Sequence, residues 1–283
     1  LAATQNSKTV TPSIDARSGQ GRLEVIRRRD RSVVSRAFST SPLRLLTPDN
    51  HGHAAWVYTS SHGGGLVDGD VITMHTTVGA GACAFVSTQA STKVYQSPRG
   101  TQLEMTAEVG HTGVLILAPD PVVCFARSRY HQTQKFDLNE KAGLVLLDWI
   151  SSGRRESGER WAFDEYVSRT VVHLGGRRLV HDALALRTSD GDLAARLGGY
   201  DVLALALIVG TPLEAVAQRI LTRVEDPTVD QTPGRLVATA PIGDSGCLLR
   251  VAGRSVEDVG SILVDFLDFV PTLLGDDPWA RKW

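Results

Sequence analysis

The chain has 283 residues, 42% hydrophobic and 22% charged, the balance of a soluble globular protein with a sizeable core. Thirty basic against 31 acidic side chains leave a net charge of -1, so no global field draws it to nucleic acid or to an anionic membrane surface. Cys83, Cys124 and Cys247 are odd in number and far apart, with no CxxC pair for zinc or a redox dithiol, and Val202 to Val209, the longest apolar stretch, is far short of the ~20 residues of a membrane helix. With no apolar signal core at the N-terminus, the expectation is a soluble cytoplasmic protein in a reducing compartment.

Residues 1–20 are polar and carry no hydrophobic period, which predicts a flexible N-terminal tail followed by one domain over 21–283. Leu23, Val25, Val33 and Val34 lie in β-prone runs on either side of Arg27 to Arg31, which reads as a hairpin with a solvated basic turn. Ser41-Pro42-Leu43 and Thr47-Pro48-Asp49 mark loops. The segment GGGLVDGD then sets glycines beside Asp68 and Asp70, and one turn of chain later comes a polar ladder of Thr88, Gln89, Ser91, Thr92, Lys93 and Tyr95.

Between residues 71 and 150 the texture repeats. Met74, Met105 and Phe136 are 31 residues apart, as are Val78, Val109 and Glu140, and Phe85, Ile116 and Leu147. Each unit enters an apolar run (CAFV, VLIL, LVLL) through a turn with Gly79-Gly81, Gly110-Gly113 or Gly143. A hairpin-sized unit cannot bury its apolar face alone, so the repeat predicts hairpins stacked layer upon layer. The C-terminal third adds two helices. Thr211-Pro212-Leu213-Glu214 has the composition of an N-cap, a first-turn proline and a capping box, and predicts a helix to about Val224. Ser255 starts a second, with Val259, Ile262, Leu263, Phe266 and Val270 on one stripe until Pro271 stops it. Val202 to Val209, Arg235 to Ala240 and Cys247 to Val251 read as strands, and only Asp226 to Gly234 resembles a linker. The fold class is therefore mainly β (α+β): stacked β-hairpins in a β-helix-like or layered arrangement, with two α-helices in the C-terminal third.

Enzyme signatures fail on context. Gly79-Ala80-Gly81-Ala82-Cys83-Ala84 has the letters of a dinucleotide fingerprint but runs into a strand instead of opening a helix. Gly243-Asp244-Ser245-Gly246 lacks an upstream general base, and there is no Walker lysine loop or HExxH. His51, His53 and His62 are either three imidazoles for a nickel- or zinc-like cation or histidines on a loop that meets water. Asp68 and Asp70 either form a weak carboxylate site or satisfy backbone amides round a Gly69 turn. Thr88, Gln89, Ser91, Lys93, Asp148 and Asp182 are polar within strand-rich surroundings, facing inward on a hydrated passage or outward to solvent.

Several of these segments together resemble the UreD (UreH) type of urease accessory protein, from Gly21 to the end. They are Ser41-Pro42-Leu43-Arg44; Gly64, Gly65, Asp68, Gly69 and Asp70 of GGLVDGD; Thr88, Gln89, Lys93 and Tyr95 of TQASTKVY; Gly153, Arg154, Gly158 and Glu159 of GRRESGE; Leu179-Asp182-Leu184; and the terminal Arg-Lys-Trp. The extended TSSHGGGLVDGD block is closer to plant and fungal versions. The resemblance implies a non-enzymatic scaffold that binds apo-urease and a UreF-type protein, which recruits a UreG-type GTPase carrying nickel. It implies no tightly bound cofactor, only transient nickel in a water-filled passage, for which Asp70, Ser91, Asp148 and Asp182 are the matching inward residues. The alternative is a nickel-binding metallochaperone that uses His51, His53 and His62; a hydrolase ranks last, because no nucleophile has a placed base.

Overall fold

Alternating segments such as residues 101–109 and 129–138, and unbroken apolar runs such as residues 114–117 and 202–209, become strands in the computed structural model. The structure describes residues 18–225 and 234–280, and the counts that follow refer to these. In chain order the strands are β1 (Ser18–Arg28), β2 (Arg31–Ser39), β3 (Leu43–Leu46), β4 (Ala55–Ser61), β5 (Val71–Val78), β6 (Cys83–Thr88), β7 (Thr92–Val94), β8 (Thr101–Val109) and β9 (Val114–Leu117). There follow β10 (Val122–Cys124), β11 (Arg129–Leu138), β12 (Gly143–Ser151), β13 (Glu165–Leu174), β14 (Arg177–Arg187), β15 (Val202–Val209), β16 (Leu236–Pro241) and β17 (Gly246–Gly253). The α-helices are α1 (Leu193–Arg196), α2 (Glu214–Glu225), α3 (Val256–Phe266) and α4 (Val270–Leu274).

Two sheets face each other. One has seven strands in the order β14-β13-β11-β8-β5-β1-β2; the other has ten, with β16-β17-β15-β12-β9-β6-β4-β3 as its main path and β10 and β7 beside β12. The chain passes repeatedly from one sheet to the other: β5 to β6, β8 to β9, β11 to β12. The two strands of each unit thus lie in opposite sheets, and each pairs in parallel with its counterpart in the next unit. This is the layered stack that the repeat predicts. The layers are pinned at the turns, where Gly110 N donates to Val78 O at 2.8 Å and Gly143 N to Gly113 O at 2.9 Å. A Cβ on Gly110 would lie 2.9 Å from the Ala80 nitrogen, so the close approach of neighbouring turns requires glycine there.

The first interval is the one read from the sequence: Met74 pairs with Met105 and Phe85 with Ile116. The second is shorter by two, since Met105 pairs with Gln134 and Ile116 with Val145. Phe136 and Leu147 therefore sit one pleat out of line. An even shift leaves each side chain on its original face, and both remain buried, which is why the longer period still fitted.

Between the sheets lies a core that includes Leu23, Val25, Met74, Val109, Leu115, Phe136, Leu144 and Leu207. The outer face of the ten-stranded sheet buries Trp56, Phe85, Ile116, Val145 and Ile208 against Ala217, Ile220, Leu263 and Phe266 of α2 and α3. Each fully buried side chain of this size contributes about 1.5–3 kcal/mol.

Three local expectations are corrected. The strand β1 begins at Ser18, inside the expected tail of residues 1–20, because backbone pairing of Ser18, Gly19 and Gln20 with Val71, Ile72 and Thr73 needs no apolar side chain; residues 1–17 lie outside the described residues. Thr211 does not cap α2: its hydroxyl donates to Glu140 O, and a 3-10 turn at Thr211–Leu213 leads into the helix. Ser255 does cap α3, accepting from Asp258 N at 3.1 Å. Pro271 does not stop that helix. The chain leaves helical geometry at Leu267, and Pro271 lies in the first turn of α4, where its missing N–H is no loss. The linker-like residues 226–233 and the terminal Arg281-Lys282-Trp283 lie outside the described residues.

Candidate functional site

The strand β11 alternates Tyr130, Gln132, Gln134, Phe136 and Leu138 toward the ten-stranded sheet, all buried. The first three are polar in phase with an apolar pair. Parallel pairing extends the pattern into β13, where Tyr166, Ser168 and Thr170 lie beside Tyr130, Gln132 and Gln134. On β14, Leu184 continues the Ser168 row and Asp182 the Thr170 row. The opposite sheet contributes Asp148 on β12, in one row with Leu205 and Arg250. One end of the sandwich is thus filled with aliphatic side chains, while the other carries a polar stripe.

Two cavities open along that stripe. The larger, about 280 Å³, has apolar walls from Ile72, Met74, Met105, Val86 and Leu117 and polar groups from Ser87, Thr88, Ser91, Gln132, Gln134 and Asp148; Ser60, Ser61, Gly64 and Gln89 form its outer lip. That is room for several waters. The second, about 180 Å³, is lined by Tyr166, Asp182, Leu184, Leu203, Leu236 and Arg250. Asp148 and Trp149 line both.

Asp148 is held from one side by a chain of hydrogen bonds. Tyr130 donates to Gln132 Oε1 at 3.1 Å, Gln132 Nε2 to Ser168 Oγ at 3.2 Å, and Ser168 Oγ to Asp148 Oδ2 at 2.6 Å. Burial raises the Asp148 carboxyl above its ordinary range and the nearby Asp182 charge adds to this, while bonds from Ser168, Gln132 and Tyr166 pull it back. Burial also pushes the Tyr130 and Tyr166 hydroxyls well above their usual values, so both are neutral donors. A carboxylate on a hydroxyl-rich wall is a hard, exchangeable oxygen ligand for a divalent cation.

Of the expected inward residues, the structure brings Ser91, Asp148 and Asp182 to these cavities. Asp70 lines neither. It is buried, but its Oδ2 turns back to accept from Val67 N at 2.8 Å across the Gly69 turn, whose φ is +85°. Asp68 accepts from Arg99 N and Nε, both at 2.8 Å, which lowers its carboxyl. Both aspartates therefore serve the turn. Thr88 donates to Asp120 Oδ2 at 2.8 Å, whereas Gln89 and Lys93 are exposed.

The motif residues meet at one end of the sandwich. A Cβ on Gly65 would fall 2.6 Å from Tyr95 Cε2, so the glycine admits the ring. Tyr95 packs edge-on against Phe125 at 5.1 Å, and Arg154 lies over Phe125 at 4.2 Å while binding Glu159. Glu159 also accepts from Ala126 N at 3.1 Å, and these bonds lower its carboxyl. Gly153 and Gly158, at φ +119° and +76°, make the turns between. Arg155 and Arg160 anchor the same loop to the buried Asp201 at 2.9 and 2.5 Å. The three segments GGLVDGD, TQASTKVY and GRRESGE are one interlocked corner.

The histidines are not brought together. His51 and His53 lie against the end of α4, where His51 N donates to Asp276 Oδ2 and His53 N to Leu274 O. His62 follows the other end of β4, beside Pro42. An extended strand of that length separates them by roughly 20 Å. Among the described residues no group of three or more His, Cys, Asp or Glu side chains is placed to hold a metal ion.

Sequence reading missed Gln132, Gln134, Ser168 and Arg250. The signal was the phase of β11: in RYHQTQKFDL the glutamines share a face with Phe136 and Leu138, and an outward face would have carried His131, Thr133 and Lys135 instead, as it does.

Fold and site define a class: a layered β scaffold that closes round a carboxylate-bearing polar cavity between its sheets. The chain belongs to the UreD urease accessory protein family, whose model matches residues 17–283. It is 47% identical over 268 residues to a protein named urease accessory protein UreD in Sorangium cellulosum, covering 94% of this chain and 85% of the relative. It is 33% identical over 297 residues to urease accessory protein D of Oryza sativa subsp. indica, with 94% and 97% covered, and 31% identical over 281 residues to the protein of that name in Arabidopsis thaliana, with 88% and 96% covered. Among the described residues no helix is long and apolar enough to cross a membrane.

Proposed function

We propose that this chain is a non-catalytic scaffold of urease maturation that bridges apo-urease and a complex of UreF-type protein with UreG-type GTPase, and through which nickel passes to the urease active site. Family membership supports the maturation role. The observation that carries the passage is the position of Asp148, in the walls of both cavities and at the end of the Tyr130-Gln132-Ser168 chain. Nickel is cargo here, not a resident cofactor. A cation entering past Ser91 and Gln89 meets the Asp148 carboxylate midway and Asp182 beyond it.

One or two oxygen ligands at each station suit transit: strong enough to replace part of the hydration shell, weak enough to release it. A cage of imidazoles would retain the ion. Burial disfavours the charged form of the empty Asp148 carboxyl, and a cation arriving there relieves that penalty. The test is co-purification of the chain with apo-urease and the UreF- and UreG-type partners, then nickel- and GTP-dependent activation. Asp148→Asn should assemble the complex and activate poorly; activation at the wild-type rate would remove Asp148 from the route.

A further inference from the structure

One charged side chain on the second cavity takes no part in the proposed passage. Arg250 of β17 shares an inward row with Asp148 and Leu205, and its Nη2 reaches across the gap between the sheets to donate to Asp182 Oδ1 on β14. The β14 strand is an edge of the seven-stranded sheet, and β17 is one strand in from the β16 edge of the other. The pair therefore bridges the sheets where they open to solvent. The Arg250 side chain is 56% exposed and that of Asp182 only 17%, so the guanidinium stands on the solvent side and the carboxylate on the cavity side. Leu236 of β16, itself 54% exposed, completes the rim.

We propose that Arg250 is the gate of the second cavity: it closes the opening to cations from solvent and gives way when a cation from inside takes Asp182 in its place. The inference rests on the passage proposed above. Three physical points support it. A fixed positive charge at the mouth repels cations over several ångströms, and less so as salt rises. A half-exposed ion pair is weak enough to open reversibly. A carboxylate facing a closed cavity, by contrast, is poorly solvated without a cationic partner, so Asp182 exchanges one cation for another and does not stand bare.

The test labels the cavity with thiol probes in the full-length chain. Leu184→Cys and Leu203→Cys each place one on the wall of the second cavity, at half-buried positions on different sheets. The native thiols stay silent: Cys83, Cys124 and Cys247 are buried, which pushes the first two up to about 12 and the third to about 11. Each probe is treated with cationic aminoethyl methanethiosulfonate and with its neutral methyl analogue, with and without Arg250→Gln. Removing the charge should raise the ratio of cationic to neutral rate about threefold to fivefold, the effect of one unit charge acting across a few ångströms of water. An unchanged ratio at both probes overturns the gate. Arg250→Gln is also assayed in nickel-dependent urease activation. A raised ratio with unaltered activation keeps the gate and sinks the passage; an unchanged ratio sinks the gate whatever activation does.

Discussion

Ser168→Ala removes a hydroxyl that bonds both Gln132 and Asp148, and its effect follows from the charge on that carboxylate. Ser168 is buried, donating at 2.6 Å and accepting at 3.2 Å. A hydrogen bond to a charged group contributes about 1.5–3 kcal/mol, and cavity water can replace part of it, so the loss at pH 7.5 should be about 2 kcal/mol. In a chain of this size that lowers the melting temperature by about 4 °C. The loss should depend on pH. Burial raises the Asp148 carboxyl in the folded state, so its ionisation costs stability. That cost is absent below the ordinary value of 3.8 and complete once pH has passed the raised one. Because the Ser168 bond lowers the carboxyl, the variant pays more of this penalty as pH rises. Urea unfolding of wild type and variant between pH 4.5 and 8 should show a widening gap. A gap that is flat with pH, or below about 0.5 kcal/mol at pH 7.5, would refute the claim that Ser168 holds an ionising Asp148.

Asp148→Asn should stabilise the fold at neutral pH, and the gain should vanish as the melt is repeated toward pH 3.8, because only the charged form is penalised there. Gly65→Ala drives a Cβ to 2.6 Å from Tyr95 and 2.7 Å from Lys93 O, and should cost about 1–3 kcal/mol in the same unfolding assay. The triple replacement of His51, His53 and His62 by Ala should leave the nickel-dependent activation rate of urease within twofold of wild type, since these side chains do not converge. Glu159→Gln should weaken stability above the ordinary glutamate value of 4.5 and have a diminishing effect below it, because Glu159 is lowered in the folded state and contributes only while ionised; acid titration of the melting temperature reads this directly.

Much of the architecture was legible because apolar periodicity survives small errors of register. The layered stack showed in Met74, Phe85 and their successors even though the second interval is two residues shorter than the first. Helix ends were harder. Pro271 has the same composition signature whether it ends one helix or opens the next, and tertiary packing of Leu267 and Val270 against the sheet decides it. The site was legible in its carboxylates and not in its amides. Asp148 and Asp182 stand out among apolar neighbours, whereas Gln132 and Gln134 pass for solvent residues until the phase of Phe136 is followed back along the strand. The paired spacing of Asp68 and Asp70 left a carboxylate site and a backbone turn both open, and the structure shows Asp70 Oδ2 on Val67 N and Asp68 on Arg99. Histidine spacing left two readings open, and geometry separates them: nine residues of sequence include a whole extended strand, which carries His62 away from His53.

The central claim is that nickel reaches urease through this chain, past Asp148. The most direct measurement is activation of cognate apo-urease by nickel, GTP and the UreF- and UreG-type partners, with wild-type chain, with Asp148→Asn, and with none. The claim predicts no activation without the chain, and at least a tenfold slower rate with Asp148→Asn in a complex that still assembles. Activation that proceeds without the chain, or at the wild-type rate with Asp148→Asn, would contradict it.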